Sequence, residues 1–330
     1  MVEKERQHIL PQFYQKGFSR DKKFIYVYDR VNNEFRKQPI RKTASIVDYY
    51  TAINPNGTKN KEIEDYFGFI ESIASTALKK IDYGNKITES EKTYLSIFIA
   101  YLIVRGPYFE FFFNESTKEI GKRYAEEATS SVESVKKLME EYEKGTGEKI
   151  EFTPEELFGS IGSIEVNVPK EFRLQSMLDI GYRLGILIFN MDWLIQFSNK
   201  KSSFITSDNP FIIFNYFGED EIPVGIATPG KIKIVPLTSK FCLLLGNVHG
   251  KKSMFEFIKE DLSKKQTRLV NQDVAFNCER FILGKDKPLL EKIVKATGIH
   301  KFEIKSRVKV EYDGDLKEIR IKREKSYKDS

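Results

Sequence analysis

Cysteine and histidine are scarce in this chain of 330 residues, which contains two cysteines and three histidines. Cys242 and Cys278 are far apart in the sequence, and neither a Cys-x-x-Cys nor a His-Glu-x-x-His pattern occurs. The sequence therefore predicts no structural zinc site, because such sites gather cysteine and histidine ligands at close spacing. Two cysteines also do not make a disulfide framework, so a reducing cytoplasm is the expected compartment.

Long hydrophobic stretches are also missing. The longest apolar run, residues 94–104, ends at Arg105 after 11 residues, below the about 18 that a membrane-spanning helix needs. The N-terminus, Met1-Val2-Glu3-Lys4-Glu5-Arg6, is charged and lacks the apolar stretch of a signal peptide. The sequence therefore predicts no membrane segment and no membrane partner.

The common catalytic signatures are absent as well. The chain has no Gly-x-x-x-x-Gly-Lys-Ser/Thr phosphate loop, no Gly-x-Gly-x-x-Gly dinucleotide fingerprint and no Gly-x-Ser-x-Gly nucleophile elbow. Ser134-Val135-Lys136-Lys137 matches Ser-x-x-Lys by letter only, because it lies in a charged amphipathic segment where chance matches are frequent. Composition and motifs therefore give no support to these enzyme classes and predict no reaction.

The chain does contain enough apolar material for a folded core. Its composition is 40% hydrophobic, 13% aromatic and 31% charged, which is typical of a globular protein and excludes disordered and fibrous chains. Lysine and arginine number 54 against 48 acidic residues, a formal net charge of +6. This balance permits an anionic partner without requiring one.

The beginning of the chain is strand-rich. Residues 23–29 are dense in β-branched and aromatic residues, which are typical of a strand. A polar turn at residues 31–34 and a return from Phe35 onwards complete the pattern of a hairpin. The sequence therefore predicts a hairpin near the edge of a sheet.

A helical block follows the hairpin. Apolar residues at helical spacing predict a helix over residues 62–81. Thr88, followed by acidic residues, predicts the N-cap of a second helix, which is apolar on every face and ends before Gly106-Pro107. The remaining predictions in this block are a third helix, a short strand and a fourth helix, at residues 114–144, 161–168 and 171–197.

The rest of the chain mixes strands and helices. Two apolar runs around the polar turn Ser207-Asp208-Asn209-Pro210, together with later runs, predict an antiparallel sheet. An Asp-Gly pair, Asp313-Gly314, predicts a C-terminal hairpin that is mildly cationic and faces solvent. The other predicted elements are strands at 231–236, 241–245 and 281–283, and helices at 262–280 and 288–297.

This order of elements predicts an α+β fold, with an antiparallel sheet and hairpins at both ends and an embedded block of long helices. The helical block covers about residues 62–198, and the strand-rich parts cover about 1–60 and 199–325. The sequence contains no internal repeat and no low-complexity segment. We therefore expect one integrated domain over residues 1–330 rather than two.

Several short motifs are shared with a known family. The most specific are the opening His8-Ile9-Leu10-Pro11-Gln12-Phe13-Tyr14 and the turn Thr206-Ser207-Asp208-Asn209-Pro210. The others are Gly17-Phe18-Ser19, Phe24-Ile25-Tyr26-Val27-Tyr28-Asp29, Asp48-Tyr49-Tyr50, Ile63-Glu64, Ile70-Glu71, Arg105-Gly106-Pro107, Pro236-Leu237-Thr238-Ser239 and Asn271. On these residues, along nearly its whole length, the chain resembles an uncharacterised prokaryotic family, domain of unknown function 4238. Members often have Arg-Thr-Pro where this chain has Gly106 in the middle. The resemblance implies positions for a site and no particular chemistry.

His8 is the first candidate for catalysis. It lies in an extended segment held by the nearby Pro11, and a histidine pKa near 6.5 suits an acid or a base at neutral pH. The alternative is a residue that caps or packs at the edge of a domain. The resemblance favours the catalytic interpretation.

Glu71 and Arg105 form the second candidate. Glu71 falls at or near the buried stripe of the helix predicted over 62–81, where a carboxylate without a partner is costly. Arg105, at the end of a wholly apolar helix, is the natural partner, because a buried guanidinium can hold a carboxylate or bind a phosphate. The pair is either a structural ion pair or part of a catalytic site, with Arg105 as the anion stabiliser.

The polar turn supplies a third set of candidates. Asp208 is a candidate general base, metal ligand or orienter of His8, although aspartate and asparagine are also ordinary turn formers. Ser207 can act as a nucleophile only with a base in hydrogen-bond reach. The candidates for substrate binding are Gln12, Tyr14, Ser207, Asn209 and Asn271, the last also readable as a satisfied amide in the core.

Two functions of different classes follow. The first is a hydrolase or transferase acting on a phosphate-containing substrate, such as nucleic acid or nucleotide, with a role in defence or as a toxin as one setting. A divalent metal is compatible with this function, but the sequence does not indicate one, because a metal site would need a second carboxylate near Asp208 and the sequence nominates none. The second is a non-catalytic module that binds nucleic acid or protein through exposed aromatics and lysines, with Tyr26, Tyr28, Tyr312 and Tyr327 as its candidates.

Overall fold

A computed structural model describes residues 5–54, 56–163, 165–213, 226–228, 231–248, 255–313 and 315–327 of the chain. It combines antiparallel strand pairs with a block of helices, which confirms the predicted α+β class. The order of elements also follows the prediction, because strands open and close the chain and helices fill its middle.

The N-terminal segment forms strands that pair in separate places. Its elements are β1 (Arg6–His8), α1 (Gln12–Lys16), β2 (Phe24–Asp29), β3 (Glu34–Pro39), β4 (Ser45–Val47), β5 (Ala52–Ile53) and β6 (Lys59–Asn60). β1 pairs with β4 and sets His8 opposite Ser45. β2 and β3 form the predicted hairpin, whose turn holds Asn33 at a φ of 52°, a conformation that asparagine tolerates better than most residues.

Two long helices confirm the first half of the predicted helical block. They are α2 (Glu62–Asp82) and α3 (Glu89–Val104). Thr88 caps α3 as predicted: its side chain accepts from the Glu91 backbone N–H, and the Glu91 carboxylate accepts from the Thr88 backbone N–H. Most of α3 is buried, as its apolar residues on every face require.

The third predicted helix is two helices. α4 (Pro107–Ala128) and α5 (Val132–Thr146) replace the single helix predicted over 114–144. The side chain of Ser131 accepts a hydrogen bond from the Ser134 backbone N–H at 3.1 Å, and this cap starts the new helix. The prediction of a single helix relied on the amphipathic pattern, and this pattern continues through Ser131 without a break.

The strand predicted over 161–168 does not form among the described residues. A further helix, α6 (Pro154–Ser160), is followed directly by a 3₁₀ turn at Ile161–Ser163, and residues 165–169 have no regular structure. The capping box of Thr153 and Glu156 favours helix at this point.

The fourth helix ends earlier than the sequence predicts. α7 (Lys170–Phe189) is followed by a strand, β7 (Met191–Ser198), so the last part of the helix predicted over 171–197 is wrong. Met191 and Trp193 are fully buried and alternate with less buried neighbours, which is the period of two that a strand requires.

The second half of the chain builds two main sheets. Its elements are β8 (Thr206–Ser207), β9 (Ile212–Ile213), β10 (Lys233–Pro236), β11 (Phe241–Val248), β12 (Phe255–Leu262), α8 (Lys264–Asn277), β13 (Phe281–Gly284), α9 (Lys287–Thr297), β14 (Phe302–Asp313) and β15 (Asp315–Tyr327). One sheet has the order β12-β7-β11-β10-β9, in which only β12 runs parallel to its neighbour. The other has the antiparallel order β3-β2-β13-β8. β8 and β9 therefore enter different sheets, although the sequence predicted one.

β14 and β15 form the predicted C-terminal hairpin. Gly314 in its turn, and the side chains of Tyr312 and Tyr327, lie outside the described residues. The prediction that this hairpin faces solvent therefore stays a prediction.

The described chain separates into two compact units. Unit 1 comprises Met1–Glu110, Leu174–Arg307 and Arg323–Ser330, and unit 2 comprises Phe111–Arg173 and Val308–Lys322. The prediction of one integrated domain over 1–330 stays a prediction. Every candidate site residue belongs to unit 1.

A helix that spans a membrane must be both long and apolar. Among the described residues, no single helix meets both requirements, and only α3 and α4 taken together across their bend do so. Most of α3 is buried within the protein.

Candidate functional site

The first strand directs two polar side chains to opposite faces. Gln7 is buried, and its amide nitrogen donates to Thr51 Oγ1 at 3.0 Å and to Glu64 Oε2 at 3.4 Å. His8, the next residue, projects from the other face of β1 and is half-buried. Gln7 therefore anchors the strand in the core, while His8 stays near the surface.

Arg105 is the centre of the cluster around His8. Its Nη1 donates to Glu71 Oε1 at 2.7 Å, which confirms the predicted ion pair, and its Nη2 donates to the His8 carbonyl at 2.7 Å. Its Nε donates to Tyr50 Oη at 3.3 Å, and the guanidinium lies 4.3 Å from the centre of the Phe67 ring. The side chain is 5% exposed, so these contacts fix it on every side.

The surroundings keep Arg105 charged. Burial alone would lower the pKa of Arg105, but Tyr50 and Glu71 outweigh this effect and raise the pKa above its usual value. Glu71 is less enclosed, with a side chain 23% exposed, and its Oε2 makes no hydrogen bond within the described part of the chain. One carboxylate oxygen is thus held by the guanidinium and the other remains available.

The surroundings of His8 lower its pKa. Burial lowers the pKa of His8 below 6.5, and the charge of Arg105 lowers it further, while the nearby carbonyls of Ile40 and Arg41 and the carboxylate of Glu71 act in the opposite direction. The Nε2 atom of His8 is buried and makes no hydrogen bond to the described residues. One nitrogen of the ring is thus without a hydrogen-bond partner among the described residues.

Asp208 lies in a separate cluster. Its carboxylate accepts hydrogen bonds from the backbone N–H groups of Glu279 at 2.9 Å, Arg280 at 2.8 Å and Phe281 at 3.0 Å. Burial raises the pKa of Asp208 from 3.8 to about 6, although these amides and Arg30 oppose the shift. The carboxylate thus holds the turn at the start of β13, and no hydrogen bond joins it to His8 within the described residues.

Ser207 and Asn209, the neighbours of Asp208 in the polar turn, are also held by hydrogen bonds that involve backbone groups. Ser207 is fully buried, and its Oγ accepts a hydrogen bond from the Asn209 backbone N–H at 3.2 Å. The carbonyl of Asn209 accepts from Asn277 Nδ2 at 2.9 Å. The described contacts bring no base to the hydroxyl of Ser207.

The two clusters adjoin at Gly106. A Cβ atom added to this glycine would lie 3.5 Å from the carbonyl oxygen of Asp208, so the main chain after Arg105 runs against the polar turn. The contact joins backbone to backbone. The side chains of Arg105 and Asp208 face different partners.

The other predicted substrate-binding residues are distributed between core and surface. Asn271 is buried; its Nδ2 donates to the Ser203 carbonyl at 2.9 Å and its Oδ1 accepts from the Ile205 N–H at 3.0 Å. Tyr14 is fully buried and donates to the Pro236 carbonyl at 2.6 Å. Gln12 is exposed at the start of α1.

Sequence reasoning missed the residues that surround His8 on the outside. Arg6 lies on the same face of β1, and Arg41 and Lys42 lie in the 3₁₀ turn Ile40–Lys42 beside the His8 ring. All three are exposed, and none forms an ion pair within the described residues. The sequence did contain one signal for Arg6, because side chains alternate along a strand and place Arg6 and His8 on the same face of β1. Nothing in the sequence indicates that residues 40–47 lie beside β1, because this is a tertiary contact.

The described residues do not gather the ligands of a metal ion. Among them, no three His, Cys, Asp or Glu side chains lie close enough together to hold a metal ion.

The chain matches a known family model. The model described as "Protein of unknown function (DUF4238)" matches residues 6–288, a range that contains every candidate site residue from His8 to Asn271. No curated protein and no solved structure matches the chain.

Proposed function

We propose a function for this chain on the premise that it belongs to the DUF4238 family of proteins of unknown function. It is a hydrolase or transferase that acts on a phosphate-containing substrate, such as a nucleotide or nucleic acid, with His8 as its acid–base residue. One observation carries the proposal: the same buried guanidinium holds the main chain of a histidine whose pKa is lowered and the carboxylate of the partly exposed Glu71.

The proton transfer is assigned to His8. A neutral imidazole with an uncommitted nitrogen can take a proton from a water or hydroxyl nucleophile and return it to the leaving group. The lowered pKa of His8 favours the base form at neutral pH. Glu71, whose Oε2 is available, is the partner carboxylate that orients the nucleophile or the substrate.

The contacts favour Glu71 over Asp208 in this role. Glu71 shares Arg105 with His8, whereas the Asp208 carboxylate is occupied by three backbone amides. Asp208 acts through the backbone beside Gly106. It is therefore assigned to shaping the site.

Arg105 is assigned to positioning. Its three hydrogen bonds and its burial leave it little freedom to follow a developing charge on a substrate. The exposed Arg6, Arg41 and Lys42 are better suited to contact phosphate oxygens, because they belong to the strand and the turn that adjoin His8 and have no acidic partner in the described chain. This arrangement supports a phosphate-containing substrate.

The proposal is tested by His8→Gln, with His300→Gln as the matched control. His300 is also half-buried and also has a ring nitrogen, Nδ1, that is buried without a hydrogen bond in the described chain. Wild-type protein and both variants are assayed against nucleoside mono-, di- and triphosphates and single- and double-stranded DNA and RNA, with magnesium and with EDTA.

We expect wild type and His300→Gln to turn over one of these substrates, and His8→Gln to lose about 10²-fold or more in kcat/KM. Turnover that is equal in His8→Gln and wild type would overturn the assignment of His8. An absence of turnover by the wild type across the panel would overturn the enzyme itself.

A non-catalytic binding module is the alternative. Of its two candidates with described side chains, Tyr28 is fully buried and donates to Asn33 Oδ1 at 2.9 Å, so its ring cannot stack on a base. Tyr26 is partly exposed beside Lys37. The alternative is distinguished by an affinity that falls with added salt and does not respond to substitution of His8.

A further inference from the structure

One face of the β2–β3 hairpin carries aromatic rings around a lysine. Phe24 and Tyr26 are two residues apart on β2 and project from the same face, and Lys37 on β3 pairs directly with Tyr26. The Lys37 Nζ lies 5.2 Å from the centre of the Phe24 ring and 5.7 Å from that of Tyr26. Phe24 is 41% exposed and the Lys37 side chain 49% exposed. We call these three residues the aromatic–lysine face.

Basic side chains outnumber acidic ones around this face. Residues 20–24 and 35–42 contain seven basic side chains and one acidic side chain, Asp21. Three of the seven have acidic partners: Arg20 pairs with Asp286, Arg36 with Asp29 and Glu34, and Lys37 Nζ lies 3.9 Å from Asp21 Oδ2. The other carboxylate oxygen of Asp21 accepts from the Lys23 N–H at 2.8 Å and the Phe24 N–H at 2.7 Å. Lys22 and Lys23, both exposed, form no ion pair within the described residues, so their charges are open to a polyanion.

The aromatic–lysine face is continuous with the candidate site. The backbone N–H of Ile40, just after β3, donates to the Lys23 carbonyl at 3.0 Å. The carbonyls of Ile40 and Arg41 in turn lie beside the His8 ring. The backbone of the Ile40–Lys42 turn therefore links the aromatic–lysine face to the His8 ring, and Arg41 and Lys42 in this turn are exposed.

We propose that the aromatic–lysine face binds single-stranded nucleic acid, whose bases stack on Phe24 and Tyr26 while its phosphates contact Lys37 and the neighbouring cations. Unpaired bases expose their π-faces to such rings, whereas a duplex keeps its bases stacked inside. An acidic peptide would use the cations and gain nothing from two rings at base-stacking positions. Naming single-stranded nucleic acid as the substrate of His8 rests on the proposed function; the binding itself does not.

Fluorescence anisotropy with a labelled 15-nucleotide single-stranded DNA, the matching RNA and the DNA duplex tests the proposal. The variants are Phe24→Ala and Lys37→Gln, each with a control from elsewhere on the surface: Tyr83→Ala, an aromatic 80% exposed, and the exposed Lys136→Gln. A glutamate-rich peptide competes in parallel, His8→Gln is titrated in the same series, and thermal melting checks that each variant is folded.

We expect Phe24→Ala to weaken single-strand binding about tenfold. Lys37→Gln is expected to reduce the slope of log affinity against log salt by about 1, and the two controls to behave as wild type. Folded Phe24→Ala and Lys37→Gln proteins that bind the single strands like wild type would overturn the proposal, as would equal affinity for the duplex or displacement by the peptide at equal concentration.

The two proposals fail separately. Normal binding by His8→Gln, together with loss of binding in Phe24→Ala, supports the aromatic–lysine face whether or not turnover is found. Loss of turnover in His8→Gln with undiminished binding by Phe24→Ala supports the acid–base assignment and overturns the aromatic–lysine face.

Discussion

Arg105 Nη2 donates to the backbone carbonyl of His8 at 2.7 Å, so one cation holds the main chain of the residue whose pKa is lowered by burial and, to a smaller extent, by the charge of Arg105 itself. The same guanidinium holds Glu71 through Nη1. A single side chain at the end of α3 thus contacts both the main chain of the candidate acid–base residue and the carboxylate of Glu71.

Removing that side chain should be costly for stability. Arg105→Ala leaves Glu71 without its partner and the His8 carbonyl without its donor, so we expect the free energy of unfolding to fall by about 3–5 kcal/mol. Arg20→Ala is the control, because the Arg20–Asp286 pair has an arginine that is 70% exposed and should contribute only about 0–1 kcal/mol. Urea unfolding of both variants measures the difference, and a similar small loss in each would contradict the central role of Arg105.

The carboxylate of Glu71 should be visible in the titration of His8. Glu71 raises the pKa of His8 against the larger lowering by burial, so Glu71→Gln should move the midpoint of His8 further below 6.5. Two-dimensional NMR of histidine-labelled protein follows the ring directly and needs no substrate. A midpoint at or above that of the wild type would show that the carboxylate does not act on the ring.

Asp208 should make stability depend on pH in the acid range. Its pKa is raised from 3.8 to about 6, so the native state binds the proton more tightly than the unfolded state does between these values. Stability relative to Asp208→Asn should therefore fall by roughly 2 kcal/mol as the pH rises from 4 to 7, and change little above that. Unfolding measured at several pH values tests this, and equal slopes in wild type and Asp208→Asn would contradict it.

Two glycines should respond in opposite directions to alanine. A Cβ atom at Gly185 in α7 would lie 2.9 Å from the Cα atom of Ile97, so Gly185→Ala should destabilise the fold by about 1–3 kcal/mol. Gly68 in α2 has open space around it, and Gly68→Ala should stabilise the fold by up to about 1 kcal/mol through helix propensity. Thermal unfolding of the two variants compares them, and a loss in both would show that helix packing does not decide the outcome.

Local signals predicted most of the helices. The capping residue Thr88 and the apolar spacing of α2 and α3 act over a few residues, and both helices form where predicted. The prediction failed for the segment after Phe189, because its apolar residues suit a buried helix as well as a strand. The choice between the two depends on the neighbouring strands β11 and β12, which pair with this segment.

The same distinction between local signals and long-range contacts applies to the candidate site. The pairing of Glu71 with Arg105 could be predicted, because a carboxylate at or near the buried stripe of a helix needs a cation and Arg105 lies at the end of a wholly apolar helix. The contacts of Asp208 could not, because its partners lie 71 to 73 residues later and are backbone amides that carry no sequence signature. The three amides reach the Asp208 carboxylate because β13 pairs with β8 in the sheet.

The sheet order β3-β2-β13-β8 also bears on how the protein is made. The inner edge of β2 pairs with β13, and Asp29 at the end of β2 binds Arg280, which lies 251 residues later. During synthesis the β2–β3 hairpin therefore leaves the ribosome with an unpaired strand edge that closes only when nearly the whole chain has been translated. Ile25 and Val27, fully buried in the finished protein, must stay in solution or be held by a chaperone until then.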